Sequence, residues 1–173
     1  MDRHLQVDTF SRCFQVSRET IISLKRYEDL LIKANQGLNL IGNSTIGQIW
    51  TRHFLDSVQV IDFIDENDKS LVDLGSGAGF PGLVLAIVSK DRKINLKIKL
   101  IEKSPKKIIF LKDVVNQLYL NVEVIHKNIL EEPIKFSEDV FVSRAFKPLE
   151  IVLPLIHNKV ENWKKIFIFL GKT

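Results

Sequence analysis

Cysteine is almost absent from this 173-residue chain: Cys13 stands alone, so no disulfide can form within it, and a reducing, cytoplasmic setting is the expectation. No apolar run approaches the roughly 20 residues of a membrane span. The opening "MDRHLQVDTF" has no apolar central segment and does not read as a signal peptide. The four histidines, His4, His53, His126 and His157, are scattered, with no cysteine–histidine cluster at metal-ligand spacing, so no metal is expected. Repeats and low-complexity tracts are lacking too. What is present is 45% hydrophobic and 27% charged residues, the balance of one folded domain, with or without a small extension. The net charge of +4 and isoelectric point of about 9.1 favour a polyanionic partner such as RNA. Much of the excess is lysine in a chain also rich in isoleucine and asparagine, a bias that an AT-rich genome also produces, so the charge counts for half its face value.

The first seventy residues read as a helical front section. Ser17 suits an N-cap, Ile21, Ile22, Leu24, Tyr27, Leu30, Leu31 and Ala34 recur at helical spacing, and Gly37 suits the stop, which predicts a helix over Ser17–Gln36. After the polar loop "NLIGNST", Ser44 or Thr45 caps a second predicted helix carrying Trp50, Phe54, Val58, Ile61 and Ile64. From Ser70 the pattern changes. Short apolar strands over Leu71–Leu74, Leu96–Glu102, Val122–His126, Val140–Ser143 and Lys165–Leu170 alternate with helical stretches near Pro81–Lys90, Pro105–Leu118 and Leu149–Val160. Pro154 would kink or split the last helix. Repeated βα units with short loops predict an α/β fold with a parallel, doubly wound sheet. The expected organisation is a helical extension over residues 1–69 packed on an α/β core over 70–173.

The stretch "SLVDLGSGAGFPG" (70–82) is the densest signal. Strand, glycine loop and helix in succession form the first turn of a nucleotide-binding fold. Gly75, Gly77, Gly79 and Gly82 leave the backbone bare for a ligand, and the helix start beyond offers free N–H groups. "GAGFPG" satisfies G-x-G-x-x-G, a pattern several cofactors share; two acids separate them. Glu102, ending the second strand, would accept hydrogen bonds from ribose hydroxyls, which fits NAD and S-adenosylmethionine alike and excludes NADP. Asp73 would repel a pyrophosphate but attract an ammonium or a sulfonium. S-adenosylmethionine carries both cations and no phosphate, so it is the expected cofactor, with Asp73, Gly75, Gly77, Gly79 and Glu102 around it. An NAD-dependent oxidoreductase is the competing class, and Asp73 argues against it. The bland alternatives are a capping carboxylate for Asp73 and a solvated charge beside Lys103 for Glu102.

Five segments then occur in order: "NLIG" at 39–42, "RHFLDS" at 52–57, "DLGSGAGFPG" at 73–82, "IEKSPKKIIFL" at 101–111 and "VSRAF" at 142–146. Together they resemble the glucose-inhibited division protein B family, bacterial methyltransferases acting on guanine N7 of 16S ribosomal RNA. The likeness runs from about Ser17 to the C-terminus. It implies a class I, Rossmann-like S-adenosylmethionine-dependent methyltransferase fold with an N-terminal helical extension. It implies methyl transfer to one guanine in the decoding-region loop of the small subunit. It also implies that Gly75 and Phe80 contact the cofactor, that Ile129 and Leu130 flank its adenine, and that Arg144 of "SRAF" stands at the mouth shared by cofactor and substrate. The resemblance departs in two places. Family members carry an arginine just before the adenine-flanking segment, where this chain has Asn128, able to hydrogen-bond adenine but uncharged, with Lys127 as a substitute. Class I methyltransferases also continue past the fifth strand with two more, and the family with a further functional arginine. This chain ends at "IFIFLGKT", so those strands are expected to be missing, as in a fragment, a shortened form or a protein whose partner covers the edge.

Guanine N7 has an in-plane lone pair and no proton, so its attack on a sulfonium methyl needs no general base. The protein's task is alignment. Arg144 is therefore the candidate catalytic residue as a substrate positioner, gripping a phosphate or a guanine edge. The competing reading is a salt bridge to Asp139 or a neighbouring acid. Phe146 could stack on the flipped guanine or fill the core. Asn39 and Arg52 are assigned to the RNA, His53 to fixing helix against sheet, and Asp56 to partnering one of these. Lys106 and Lys107, with Lys103 and Lys112, offer a phosphate-binding face or a solvated one. The expected partner is 16S ribosomal RNA or the small ribosomal subunit, approached by a monomer with no membrane attachment. A catalytically weak S-adenosylmethionine- or ribosome-binding module remains an alternative. So does a small-molecule methyltransferase, which would lack the "RHFLDS" front and the basic face.

Overall fold

The computed structural model describes residues 2–170, so the last three residues of the expected core, 171–173, lie outside it. Five strands form one sheet: β1 (Ser70–Leu74), β2 (Lys97–Glu102), β3 (Val122–His126), β4 (Val140–Arg144) and β5 (Lys165–Phe169). Each matches its sequence-predicted span to within one residue at either end. Every neighbouring pair is parallel and the order is β3-β2-β1-β4-β5. The chain leaves β1 toward β2 and later returns to β4 on β1's other side. Such a reversal opens a crevice beyond the carboxyl ends of β1 and β4.

Strand parity divides the core in two. Leu71, Ile98, Leu100, Val140 and Val142 face α4 (Gly82–Asp91), α5 (Pro105–Gln117) and the front helices in one apolar cluster. Val72, Leu74, Ile101 and Phe141 face the opposite side, against Val152, Leu155 and Ile156 of α6 (Leu149–Lys159). Pro154 sits inside α6, which continues through it as one helix.

The front section departs from the sequence reading in three ways. A helix α1 (Arg3–Phe14) precedes the expected ones; it buries only Gln6, Val7 and Phe10, too sparse a stripe to stand out. Its hold is tertiary: Arg3 Nε donates to Glu28 Oε2 at 2.9 Å, and Glu28 also accepts from Trp50 Nε1 at 2.9 Å. The next helix, α2 (Arg18–Leu38), starts as expected, with Ser17 Oγ accepting from Thr20 N at 3.2 Å, but passes through Gly37. It stops at Asn39, which takes the left-handed conformation (φ 47°) that asparagine tolerates. The second predicted helix is broken into a 3₁₀ turn (Asn43–Gln48), a π turn (Trp50–Phe54), α3 (Leu55–Val58) and another 3₁₀ turn (Gln59–Phe63). The π turn carries two fully buried aromatics, Trp50 and Phe54, whose rings meet edge-on at 5.0 Å. Irregular pitch of this kind recurs at functional sites.

Candidate functional site

A cavity of about 390 Å³ opens at the carboxyl ends of the strands, walled by the chain segments that follow β1, β2, β3 and β4. The glycine loop after β1 is tied to the end of β2. Gly75 N and Ser76 N both donate to the Ile101 carbonyl, at 3.0 and 2.9 Å, and Gly77 N donates to Glu102 Oε2 at 2.9 Å. The other oxygen, Oε1, accepts from Lys103 N at 2.9 Å and Ser104 N at 2.8 Å. Glu102 is thus buried and pinned between the loop and the start of α5, not a solvated charge. An ionised carboxylate has about four acceptor sites. Three are occupied by backbone N–H groups, which leaves one on Oε2 for a ligand hydroxyl.

Asp73 departs from the expectation that it faces a cationic ligand. It shares the sheet face of Leu71, so its side chain turns toward α4 and lies behind the loop, off the cavity wall. Oδ2 accepts from Gly82 N at 3.0 Å, capping α4, while Oδ1 is buried with no hydrogen-bond partner. Burial pushes its pKa up to about 8, so the carboxyl holds its proton at neutral pH. Gly79 is also off the wall. A Cβ there would meet Leu83 Cδ1 at 2.3 Å and Tyr27 Oη at 2.8 Å, so its bareness serves the packing of loop against α2 and α4. Tyr27 Oη completes that contact by donating to the Ala78 carbonyl at 2.6 Å. Gly75 does line the cavity, and what lies against it is the Phe146 ring, which an added Cβ would meet at 2.1 Å.

The front wall joins β4 to the helical section. Arg144 Nη2 donates to the Arg52 carbonyl at 2.6 Å and to His53 Nδ1 at 3.3 Å; Nη1 donates to the His53 carbonyl and Ser57 Oγ, both at 3.3 Å. Asp56 Oδ2 lies 3.6 Å from Nη2. Four of the five guanidinium N–H groups are therefore committed to holding the π turn and α3. The neighbouring acid is Asp56; Asp139 instead takes Lys164 at 2.8 Å and the backbone N–H of Lys69 at 2.7 Å. His53 stacks on Phe80, with ring centroids 4.9 Å apart and planes 14° from parallel. Burial, reinforced by Arg144 and Arg52, lowers its pKa to about 4. A guanidinium can only donate, so Nδ1 of the neutral ring accepts and Nε2 carries the proton toward Thr45 Oγ1, 3.0 Å away. Thr45 Oγ1 in turn donates to the Gly42 carbonyl at 2.8 Å.

Among the residues singled out in the sequence, Gly75, Gly77, Phe80, Glu102, Lys107, Asn128, Ile129, Leu130, Arg144 and Phe146 line this one cavity. Asn39, Arg52 and Lys106 are exposed and lie outside it. Asn128 shapes its own segment: Oδ1 accepts from Leu130 N at 3.2 Å, and its N–H donates to Glu132 Oε1 at 2.9 Å. Lys127 also lines the cavity but is paired with Glu132 at 2.5 Å. The sequence reading missed Leu40, Ile41, Ala145 and Lys147 in the wall, and took His53 for a purely structural residue. Lys147 follows the end of β4, and the rule that ligands meet the chain beyond strand carboxyl ends could have flagged it. Among the described residues no group of three or more His, Cys, Asp or Glu side chains could hold a metal, and no helix is long and apolar enough to cross a membrane.

The family model for rRNA small subunit methyltransferase G (GidB) matches residues 20–173. The chain is 38% identical over 160 residues to ribosomal RNA small subunit methyltransferase G of Pelagibacter ubique, covering 91% of this chain and 75% of that protein. It is 36% identical over 159 residues to the Rickettsia akari protein of that name (92% and 79%). With the Paramagnetospirillum magneticum protein it shares 43% over 138 residues (80% and 64%). Among solved structures, coclaurine N-methyltransferase bound to N-methylheliamine and SAH superposes with a TM-score of 0.55 at 17% identity, over 95% of this chain and 58% of that one. TehB from Haemophilus influenzae gives 0.51 at 21% identity, over 68% and 40%. At those identities the likeness concerns the fold, a Rossmann-like α/β methyltransferase core.

Proposed function

The chain belongs to the rRNA small subunit methyltransferase G family, and on that premise we propose that it methylates N7 of one guanine in 16S ribosomal RNA, with S-adenosylmethionine as methyl donor. The observation that carries this reading is the cavity at the reversal between β1 and β4, where Glu102 keeps one acceptor free beside a bare glycine loop. The donor, when bound, supplies an electrophilic methyl that a lone pair takes directly, so no residue need move a proton. Glu102 Oε2 accepts a ribose hydroxyl; Gly75, Gly77 and Phe80 border the methionine part; Asn128, Ile129 and Leu130 flank the adenine. Asp73 and Gly79 act from behind, by holding the loop on α4 and α2.

Arg144 is a positioning residue in this scheme. It fixes the front wall, Arg52 to Ser57, against β4, and so sets the width of the mouth through which the guanine enters. His53 stays neutral, which spares the sulfonium a second cationic neighbour beside Arg144. Phe146, half-buried over Gly75, offers its ring to the incoming base. Asn39, Arg52, Lys106 and Lys107 meet the RNA outside. An rRNA substrate implies work beside the ribosomes, in the cytoplasm.

The test is incubation with methyl-labelled S-adenosylmethionine and small ribosomal subunits lacking N7 methylation in the decoding region, followed by cleavage at 7-methylguanine to map the label. Labelling at a single guanine is the expected result. Cofactor binding by calorimetry without any labelling would replace this reading with that of a catalytically weak binding module.

A further inference from the structure

We propose that the RNA strand next to the target nucleotide leaves the cavity over the first turn of α5 and runs in the groove between α2 and α5. This rests on the RNA-methylating reading above. The groove holds about 860 Å³ and is floored by apolar side chains, including Leu30, Leu38 and Ile109, the last 70% exposed. One of its ends meets the cavity, on both walls; at the far end Arg26 Nη2 donates across to Gln117 Oε1 at 2.6 Å. At the end of α2, Leu38 lines the groove and Leu40, just past the helix, the cavity, with exposed, left-handed Asn39 between them. On α5, Lys106 lines the groove and the next residue, Lys107, the cavity.

Charge selects the occupant. Cations outnumber acids in the lining: Arg26, Lys33 and Lys106 face Asp29, which lies 3.3 Å from the Arg3 guanidinium, and Asp113, which keeps its charge while accepting from the neutral Gln117 amide at 2.9 and 3.0 Å. Lys33 and Lys106 are exposed and form no ion pair among the described residues. Lys103 and Lys147, exposed, and Lys107, half-buried, stand at the cavity mouth and likewise form no ion pair among the described residues. A line of unneutralised ammonium groups beside an apolar floor suits a single strand, with phosphates on the lysines and bases on Leu30, Leu38 and Ile109. An acidic protein segment would find the charge but would leave the continuity with the cavity without purpose.

The experiment uses the whole chain and protein-free, unmethylated 16S ribosomal RNA, with binding measured across a salt series. A Lys33→Glu, Lys106→Glu double variant is compared with wild type and with Lys93→Glu, Lys97→Glu, the same charge change at the amino end of β2. Two lost phosphate contacts should flatten the plot of log affinity against log salt by about 1.4, at about 0.7 per single-strand phosphate. The control pair should keep the wild-type slope, and S-adenosylmethionine affinity by calorimetry should stay the same in all three. A wild-type slope in the Lys33, Lys106 variant would overturn the groove assignment while leaving the methyltransferase reading intact. Equal flattening by the control pair would reduce the effect to net charge and overturn it as well. Wild-type protein that neither binds nor methylates the RNA would remove both.

Discussion

Replacing Asp73 by asparagine should change how stability depends on pH, with a sign and slope set by the fold. In the folded chain burial raises the Asp73 pKa to about 8, against about 4 for an unfolded aspartate. Between those values the folded state holds a proton that the unfolded state has released. The stabilisation is therefore full below about pH 4 and is lost as pH rises through about 8, at close to 1.4 kcal/mol per pH unit. His53 works in the opposite direction. Its folded pKa is lowered to about 4, against about 6.5 unfolded, so its contribution is full above about 6.5 and lost as pH falls toward 4. In the wild type the two slopes cancel from about pH 5 to 6, and only the Asp73 loss remains above. In the Asp73→Asn variant, the amide oxygen still accepts from Gly82 N, and only the rise due to His53 remains. The difference between variant and wild type, from urea unfolding at pH 5, 6 and 7, should move by about 3 kcal/mol in the variant's favour over that range. A difference that stays constant to within about 0.5 kcal/mol would mean that Asp73 is ionised throughout, and the burial argument would fail.

Gly79→Ala and Gly77→Ala should separate packing from binding within one loop. At Gly79 a Cβ would lie 2.3 Å from Leu83 Cδ1 at φ 99°, so a loss of about 2–3 kcal/mol in the unfolding free energy from urea titration is expected. At Gly77 the nearest atom to a Cβ is the Gly75 carbonyl oxygen at 3.8 Å, so the stability loss should stay near 1 kcal/mol while S-adenosylmethionine affinity falls at least tenfold; the reverse ranking would exchange their assigned roles. Tyr27→Phe leaves the buried Ala78 carbonyl without its donor and should cost about 1–3 kcal/mol, read by thermal or urea unfolding. Arg144→Ala should lower RNA methylation far more than cofactor affinity, and Arg144→Lys should not restore it, since one ammonium cannot span the carbonyls of Arg52 and His53 together with Ser57. Equal losses of methylation and cofactor affinity would refute the positioning role.

Local pattern alone determined much of this protein. Five apolar strands, the glycine loop and the Ser17 cap were legible because each is written in neighbouring residues: periodicity, φ-permissive glycine, a hydroxyl beside free N–H groups. The segment order that marks the family is likewise a property of the chain. Tertiary structure decided the rest. Whether Asp73 meets a ligand or caps α4 depends on strand parity and on which face α4 covers. Whether Gly79 is bare for a ligand or for Leu83 depends on the approach of α2, distant in sequence. Lys106 and Lys107 are neighbours in the chain, but helical rotation sends one to the groove and the other to the cavity. Arg144 was legible as a site residue but not as a strut, because its partners, Arg52 and His53 in the π turn and Ser57 in the short α3 after it, lie about ninety residues away in a segment whose irregular pitch no regular periodicity announces. What a short window of sequence encodes is conformation; which polar group faces which is set by packing between elements that the window does not contain.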